Sequence, residues 1–213
     1  MVKAIVFDFW GTLVENGIFP SPIKQAKYFL RIDDMTFQEY VTIFEEALML
    51  KNFDNLSDAF MNVGKAFDIN PPEYIIEKLV GVWNKNRLLA KLFPETMDIL
   101  NELKKDYKLV LLSNTDCFSL QPLLEKFEMN NLFDEVFVSY ETGMLKTNPA
   151  VFDKILEKLG MEKEDVVVVG DSIDSDIKGA ENAGIRAILI DRKGRREYKE
   201  KISSLEELKE ILK

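Results

Sequence analysis

Residues 3–9, KAIVFDF, form a short apolar run rich in β-branched side chains, interrupted only by Asp8 near its end. A strand of this kind has no solvent face, so it must be covered on both sides, as in a parallel sheet between layers of helices. The signal recurs at 108–112 (KLVLL), 165–169 (DVVVV) and 187–190 (AILI), and more weakly at 135–138. Helical patterns lie between these runs at 95–105, 120–127, 149–159 and 173–183, and a last one covers 205–212. Strand–helix alternation implies parallel strands joined by right-handed crossovers. The expected fold class is therefore α/β, a doubly wound parallel sheet.

One block breaks the alternation. Helices are predicted over 21–32, 36–51, 57–67 and 72–88, with no convincing strand among them. Thr36 with Glu39 three residues on reads as a capping box, and Pro71-Pro72 can open a helix at its first turn. Residues 14–92 are thus expected to form an inserted α-helical cap domain, hinged near Gly17 and near Leu92-Phe93. Residues 1–13 and 93–213 would form the α/β core. The Phe, Met, Leu and Tyr residues of the block, at helical spacing, read as bundle core rather than pocket lining.

Composition narrows the function classes. The net charge is −9, which forces no basic face and argues against nucleic acid as a partner. The basic stretch 192–201 reads as a solvated loop. Histidine is absent, which removes Ser-His and Cys-His nucleophile systems and the usual zinc sites. The single cysteine, Cys117, can form no intrachain disulfide and reads as a small buried hydrophobe. No apolar run approaches the roughly 20 residues that span a bilayer. Met1-Val2-Lys3 runs into the first strand without a signal-peptide pattern, so a cytoplasmic location without membrane association is expected.

In open parallel sheets, ligands bind outside the carboxyl ends of the strands. Asp8 ends the first strand, followed by Phe9-Trp10-Gly11-Thr12, and Ser113-Asn114-Thr115 ends the second. Lys146 precedes the helix that starts near Pro149, and Gly170-Asp171-Ser172 ends a further strand, with Asp174 and Asp176 close behind. Singly, each has an ordinary explanation: a turn former, a helix cap, a solvated lysine, an acidic first helical turn. Those explanations leave the convergence on one sheet edge unaccounted for. Two acids from different strands suit a hard cation with oxygen ligands, which for phosphate chemistry means Mg²⁺. The hydroxyl, amide and lysine suit phosphoryl oxygens.

The strings DFWGT (8–12), LLSNT (111–115), Lys146 before Asn148-Pro149, and GDSIDSD (170–176) followed by Gly179-Ala180 resemble the four motifs of the haloacid dehalogenase-like superfamily. They stand in that family's order and span nearly the whole chain. The resemblance implies a Rossmann-like core with a helical cap and a Mg²⁺-dependent hydrolase. Its substrate would be a small phosphomonoester, cleaved through an aspartyl-phosphate on Asp8. It further implies that Ser113, Asn114 and Lys146 hold the transferring group. Asp8, Asp171 and the backbone carbonyl of Trp10 would coordinate Mg²⁺, and Asp176 would orient Lys146 or a metal-bound water.

Two departures stand out. Thr147 occupies a place where the family commonly has proline, with little expected effect. Trp10 matters more, because phosphatases of the family usually have a second aspartate there to protonate the leaving group and then deprotonate water. Dehalogenases of the family commonly carry an aromatic residue at that place, and phosphonoacetaldehyde hydrolases also lack the acid. Asp171 argues the other way, since dehalogenases work without metal and lack an acid there. No arginine follows Thr12 closely; Arg31 is the first. Three readings therefore stand: a phosphatase, a C–X bond hydrolase of the haloacid or phosphonate type, and a low-turnover binding or regulatory protein. Glu15 is the acid nearest the first motif that could replace the missing one.

Overall fold

The computed structural model describes residues 1–212. The chain opens with β1 (Ala4–Phe7), crosses β2 (Val14–Glu15) and builds four helices, α1 (Pro22–Phe29), α2 (Phe37–Met49), α3 (Leu56–Ala66) and α4 (Glu73–Leu89). It returns through β3 (Lys91–Leu92) into α5 (Thr96–Leu103), β4 (Lys108–Ser113), α6 (Leu120–Lys126), β5 (Glu135–Val138), α7 (Ser139–Thr142) and α8 (Ala150–Leu159). Then come β6 (Val166–Gly170), α9 (Lys178–Asn182), β7 (Arg186–Ile190), β8 (Lys201–Ile202) and α10 (Leu208–Ile211).

The main sheet is parallel throughout, in the order β5-β4-β1-β6-β7-β8. β1 is its centre, with Phe7 beside Leu111 on one neighbour and Val169 on the other. That register brings Asp8, Ser113 and Asp171 out at one edge. Alternate residues face opposite ways: Ile5, Phe7, Leu111 and Val169 pack under α5, α6 and α10. Ala4, Val6, Leu112 and Val168 pack under α8 and α9. Both faces are dry, which is why these strands show no polar alternation.

The four helices carry a separate apolar core, built on Tyr40, Phe44, Phe60 and Trp83. Phe44 lies 5.4 Å from Tyr40 and 5.7 Å from Trp83 between ring centroids, within the range where aromatic pairs attract beyond simple burial. The capping box forms at the start of α2: Glu39 N donates to Thr36 Oγ1 (3.3 Å) and Thr36 N donates to Glu39 Oε2 (2.9 Å).

Three departures from the sequence expectation have local causes. The chain leaves and returns through an antiparallel ribbon, Val14 beside Leu92 and Glu15 beside Lys91. Strands of two residues carry no periodicity, so the sequence predicts none there. A single helix was expected over 173–183. Instead a wide π turn over Ile173–Ile177 precedes α9, and it lets the Asp176 carboxylate reach back to accept from Ser172 N at 2.9 Å. The stretch 192–201 is not simply solvated. The Arg192 guanidinium sits 3.5 Å over the Phe93 ring and binds Glu95 at 2.6 Å and the Thr12 carbonyl at 2.7 Å. Among the described residues, no helix is long and apolar enough to cross a membrane.

Candidate active site

Asp8 leaves β1 with its N–H bound to the Val169 carbonyl at 2.9 Å, which fixes the backbone just where the carboxylate projects. The Lys146 ammonium, almost wholly buried, lies between two carboxylates. It donates to Asp8 Oδ1, and to Asp176 Oδ1 at 2.8 Å. The lysine's loop is held in turn by Asn114, whose Oδ1 accepts from Lys146 N at 3.0 Å. Gly170 is needed beneath this pair, because a Cβ there would fall 2.3 Å from the Asp176 carboxylate.

Asp8, Asp171 and Asp176 bring carboxylate oxygens within 4.8 Å of one another. Asp176 has both oxygens engaged, by Lys146 and by Ser172 N. Asp8 Oδ2 has no partner among the described residues. The hydrogen bonds beside Trp10, Gly11 N to Val14 O and Val14 N to Phe9 O, leave the Trp10 carbonyl without a donor among the described residues. Free anionic and carbonyl oxygens with no internal donor fit a hard cation. The cluster could hold a metal ion, and Asp8 Oδ2, Asp171 and the Trp10 carbonyl are its oxygens without an internal donor among the described residues, while Asp176 braces Lys146.

The electrostatics agree. Burial pushes Asp8 up to about 6, with the Asp176 charge adding and Lys146 opposing. Burial and the charges of Asp8 and Asp176 push Asp171 up to about 8, against Arg196 and Lys146. Burial disfavours the charged form of Lys146, but Asp176 and Asp8 outweigh it and hold its pKa above the ordinary lysine value. Burial outweighs Lys146 at Asp8, and Arg196 and Lys146 at Asp171, so both carboxylates would gain from the charge of a divalent cation. Gly11, at φ +86°, gives a local test, since an added Cβ would lie 2.5 Å from Asp171 Oδ2. Gly11→Ala should raise the divalent-cation concentration needed for half-maximal thermal stabilisation by about tenfold or more, a loss of roughly 1.4 kcal/mol in affinity. An unchanged titration midpoint would separate Asp171 from the cation.

A cavity of about 470 Å³ opens over these groups. Asp8, Asn114, Lys146 and Asp171 line it from the sheet edge, and Lys24, Gln38, Thr42 and Glu45 line it from α1 and α2. Trp10 also lines it, half-buried and edge-on to Phe9 at 5.5 Å. Ser113 lies buried at the end of β4 and does not line the cavity, its Oγ without a partner among the described residues. Glu15 is exposed on β2 and does not line the cavity, so it cannot replace an acid at position 10.

Three residues join the site that the sequence did not single out. Glu45, on α2, accepts from Asn114 Nδ2 at 2.8 Å. Asp116 accepts from the Trp83 indole and from Ser119 Oγ, both at 2.7 Å, and so ties α4 to the sheet edge. Arg196 donates to the Asp171 carbonyl and, at 2.9 Å, to the Ile190 carbonyl. The cysteine is half-buried, its Sγ accepting from Phe53 N at 3.5 Å.

The pattern of the haloacid dehalogenase-like hydrolases matches residues 2–184. Across 228 aligned positions the chain is 30% identical to the glyceraldehyde 3-phosphate phosphatase of Methanothermobacter thermautotrophicus, covering 100% of both proteins. A solved HAD phosphatase from Thermococcus onnurineus is 27% identical, with a TM-score of 0.66 over 99% of this chain and 98% of that one. A 2-haloacid dehalogenase from Pseudomonas syringae reaches the same TM-score, 0.66, at 21% identity, over 100% of this chain and 98% of that one. At that identity it speaks for the fold alone.

Proposed function

Because the chain belongs to the haloacid dehalogenase-like hydrolases, we propose that it is a Mg²⁺-dependent phosphatase acting on small phosphomonoesters. One observation carries this reading: the unpartnered Asp8 Oδ2 beside Asp171, in a cluster of carboxylate oxygens that could hold a metal ion. When bound, Mg²⁺ would offset the repulsion between Asp8 and an incoming phosphoryl group. Asp8, freed of a proton, attacks phosphorus. Lys146 neutralises charge on the transferring group while Asp176 keeps the ammonium aimed. Asn114 holds the Lys146 loop, and the Ser113 hydroxyl supplies a further donor. The relative from Methanothermobacter is named for glyceraldehyde 3-phosphate, which makes small phosphorylated aldehydes and polyols the first substrates to try.

Residues 14–92 act in this reading as a cap domain over a core of 1–13 and 93–213, opening at the β2–β3 ribbon to exchange substrate. The half-buried thiol of Cys117 and the cytoplasmic location expected from the sequence are compatible with such a metabolic role.

Trp10 favours the competing C–X hydrolase, which needs no acid at that position. The test is a screen of phosphate esters with Mg²⁺ alongside 2-haloacids in EDTA. Phosphate release should require the metal and stop when EDTA is added. Halide release that persists in EDTA, without phosphatase activity, would overturn the reading.

A further inference from the structure

We propose that Glu45, carried on α2, is the proton donor and acceptor of the reaction, taking the place of the aspartate that Trp10 displaces. The inference rests on the phosphatase reading and deepens it.

The cavity holds few groups able to move a proton. Asp8 and Asp171 face the cation site, and Asp176 is committed to Lys146 and Ser172 N. Asp116 is occupied by Trp83, Ser119 and the Phe118 N–H. Asp174, half-buried at the cavity's edge, is paired with Lys178 at 2.5 Å. Lys146 is pinned between two carboxylates, and Lys24 lies over the Phe37 ring at 5.4 Å. That leaves Glu45.

Its placement suits the task. Gln38, Val41, Thr42, Glu45 and Met49 lie on one face of α2, and that face lines the cavity that Asp8 lines from the sheet edge. Oε2 is held by Asn114 Nδ2 at 2.8 Å, while Oε1 has no hydrogen bond among the described residues. Asn114 also binds Lys146 N, so one amide sets both the phosphate-side lysine and the leaving-group-side acid. Burial pushes Glu45 up to about 7, Asp176 and Asp8 adding to the rise and Asn114 and Lys146 opposing it. A group poised there is protonated often enough to act as acid and ionised often enough to act as base.

The protons balance over two steps. In the first, Asp8 bonds to phosphorus, the P–O bond to the leaving group breaks, and that oxygen takes the Glu45 proton to depart as an alcohol. In the second, water attacks phosphorus and gives a proton to the Glu45 carboxylate. The P–O bond to Asp8 breaks, releasing phosphate and restoring both side chains.

Glu45→Gln separates this role from simple positioning, because its carbonyl oxygen can still accept from Asn114. With the alkyl phosphate that wild type turns over fastest, Glu45→Gln should lower kcat about 10²–10³-fold. With p-nitrophenyl phosphate, whose leaving group departs unprotonated, Glu45→Gln should give a burst of nitrophenol equal to the enzyme concentration and then a slow steady state. Acid-quenched Glu45→Gln should then carry covalent phosphate. Glu45→Gln matching wild type while Glu45→Ala fails would make Glu45 only a positioning residue for Asn114 and overturn the proposal. A wild type that cleaves p-nitrophenyl phosphate but no alkyl phosphate overturns it too, since no donor then serves the leaving group. A wild type that cleaves neither ester defeats the phosphatase reading itself.

Discussion

Asp8→Asn is expected to lower turnover about 10⁴-fold or more, the scale on which removing a covalent nucleophile acts. The amide is nearly the same size as the carboxyl but has no anionic oxygen to form the bond to phosphorus. The fold should survive. Asp8 is a buried acid whose burial raises its pKa to about 6, so near neutral pH its charge costs stability that Lys146 offsets only in part. Lys146 keeps Asp176 as its partner in the variant. In EDTA, Asp8→Asn should therefore melt no lower than wild type at pH 7.5. With metal, the wild type should gain more, because the variant has lost one anionic ligand. Activity above about a hundredth of wild type would mean that Asp8 does not attack, whatever its place in the site.

The sheet edge was legible in the sequence because β1, β4 and β6, which carry Asp8, Ser113 and Asp171 to it, are dry on both faces. Such strands are unbroken apolar runs, and the residue that ends the run is the residue that reaches the ligand edge. Asp8, Ser113 and Asp171 could be read that way, and Lys146 through its place before a helix start. The groups that complete the site depend on long-range docking instead. Glu45 and Glu46 stand side by side in one helix with identical chemistry, and only the seating of α2 against Asn114 decides which one faces the cavity. Asp116 reads as a loop acid after Asn114-Thr115, yet the Trp83 indole from α4 is its partner. Arg196 sits in what reads as a charged loop, but the return of that loop across the sheet edge brings it onto the Asp171 carbonyl. The π turn over Ile173–Ile177 escaped for a related reason, since its acids satisfy an ordinary helix start equally well. In each case the local pattern was compatible with two environments, and packing against a distant segment chose between them.

Lys146→Met should damage both stability and activity, because it removes the one ammonium from a cluster of three carboxylates, two of them buried. Breaking a buried ion pair by deleting one partner costs about 3–5 kcal/mol, or roughly 10 °C in melting temperature for a chain of this size. The cost should depend on pH with a definite sign. Lys146 is among the influences that lower the pKa of Asp8, so its loss raises that pKa further above the ordinary value of 3.8. A folded-state pKa above the unfolded one means that the folded protein holds the proton more tightly. That stability is present at low pH and is lost as pH rises through the folded value. Measured in EDTA, Lys146→Met should thus approach wild type near pH 5 and fall well below it near pH 8. Turnover with Mg²⁺ should drop about 10²–10³-fold, the usual loss when one charge-stabilising group is removed. Lys146→Arg would keep the charge but not the fit, because a planar guanidinium cannot reach Asp8 and Asp176 from the volume of one buried ammonium. It should recover part of the melting temperature at pH 8 and little of the rate. If Lys146→Met melts within about 2 °C of wild type at pH 8, the carboxylates are not charged together in the metal-free protein, and the proposed cation site would need a different ligand set.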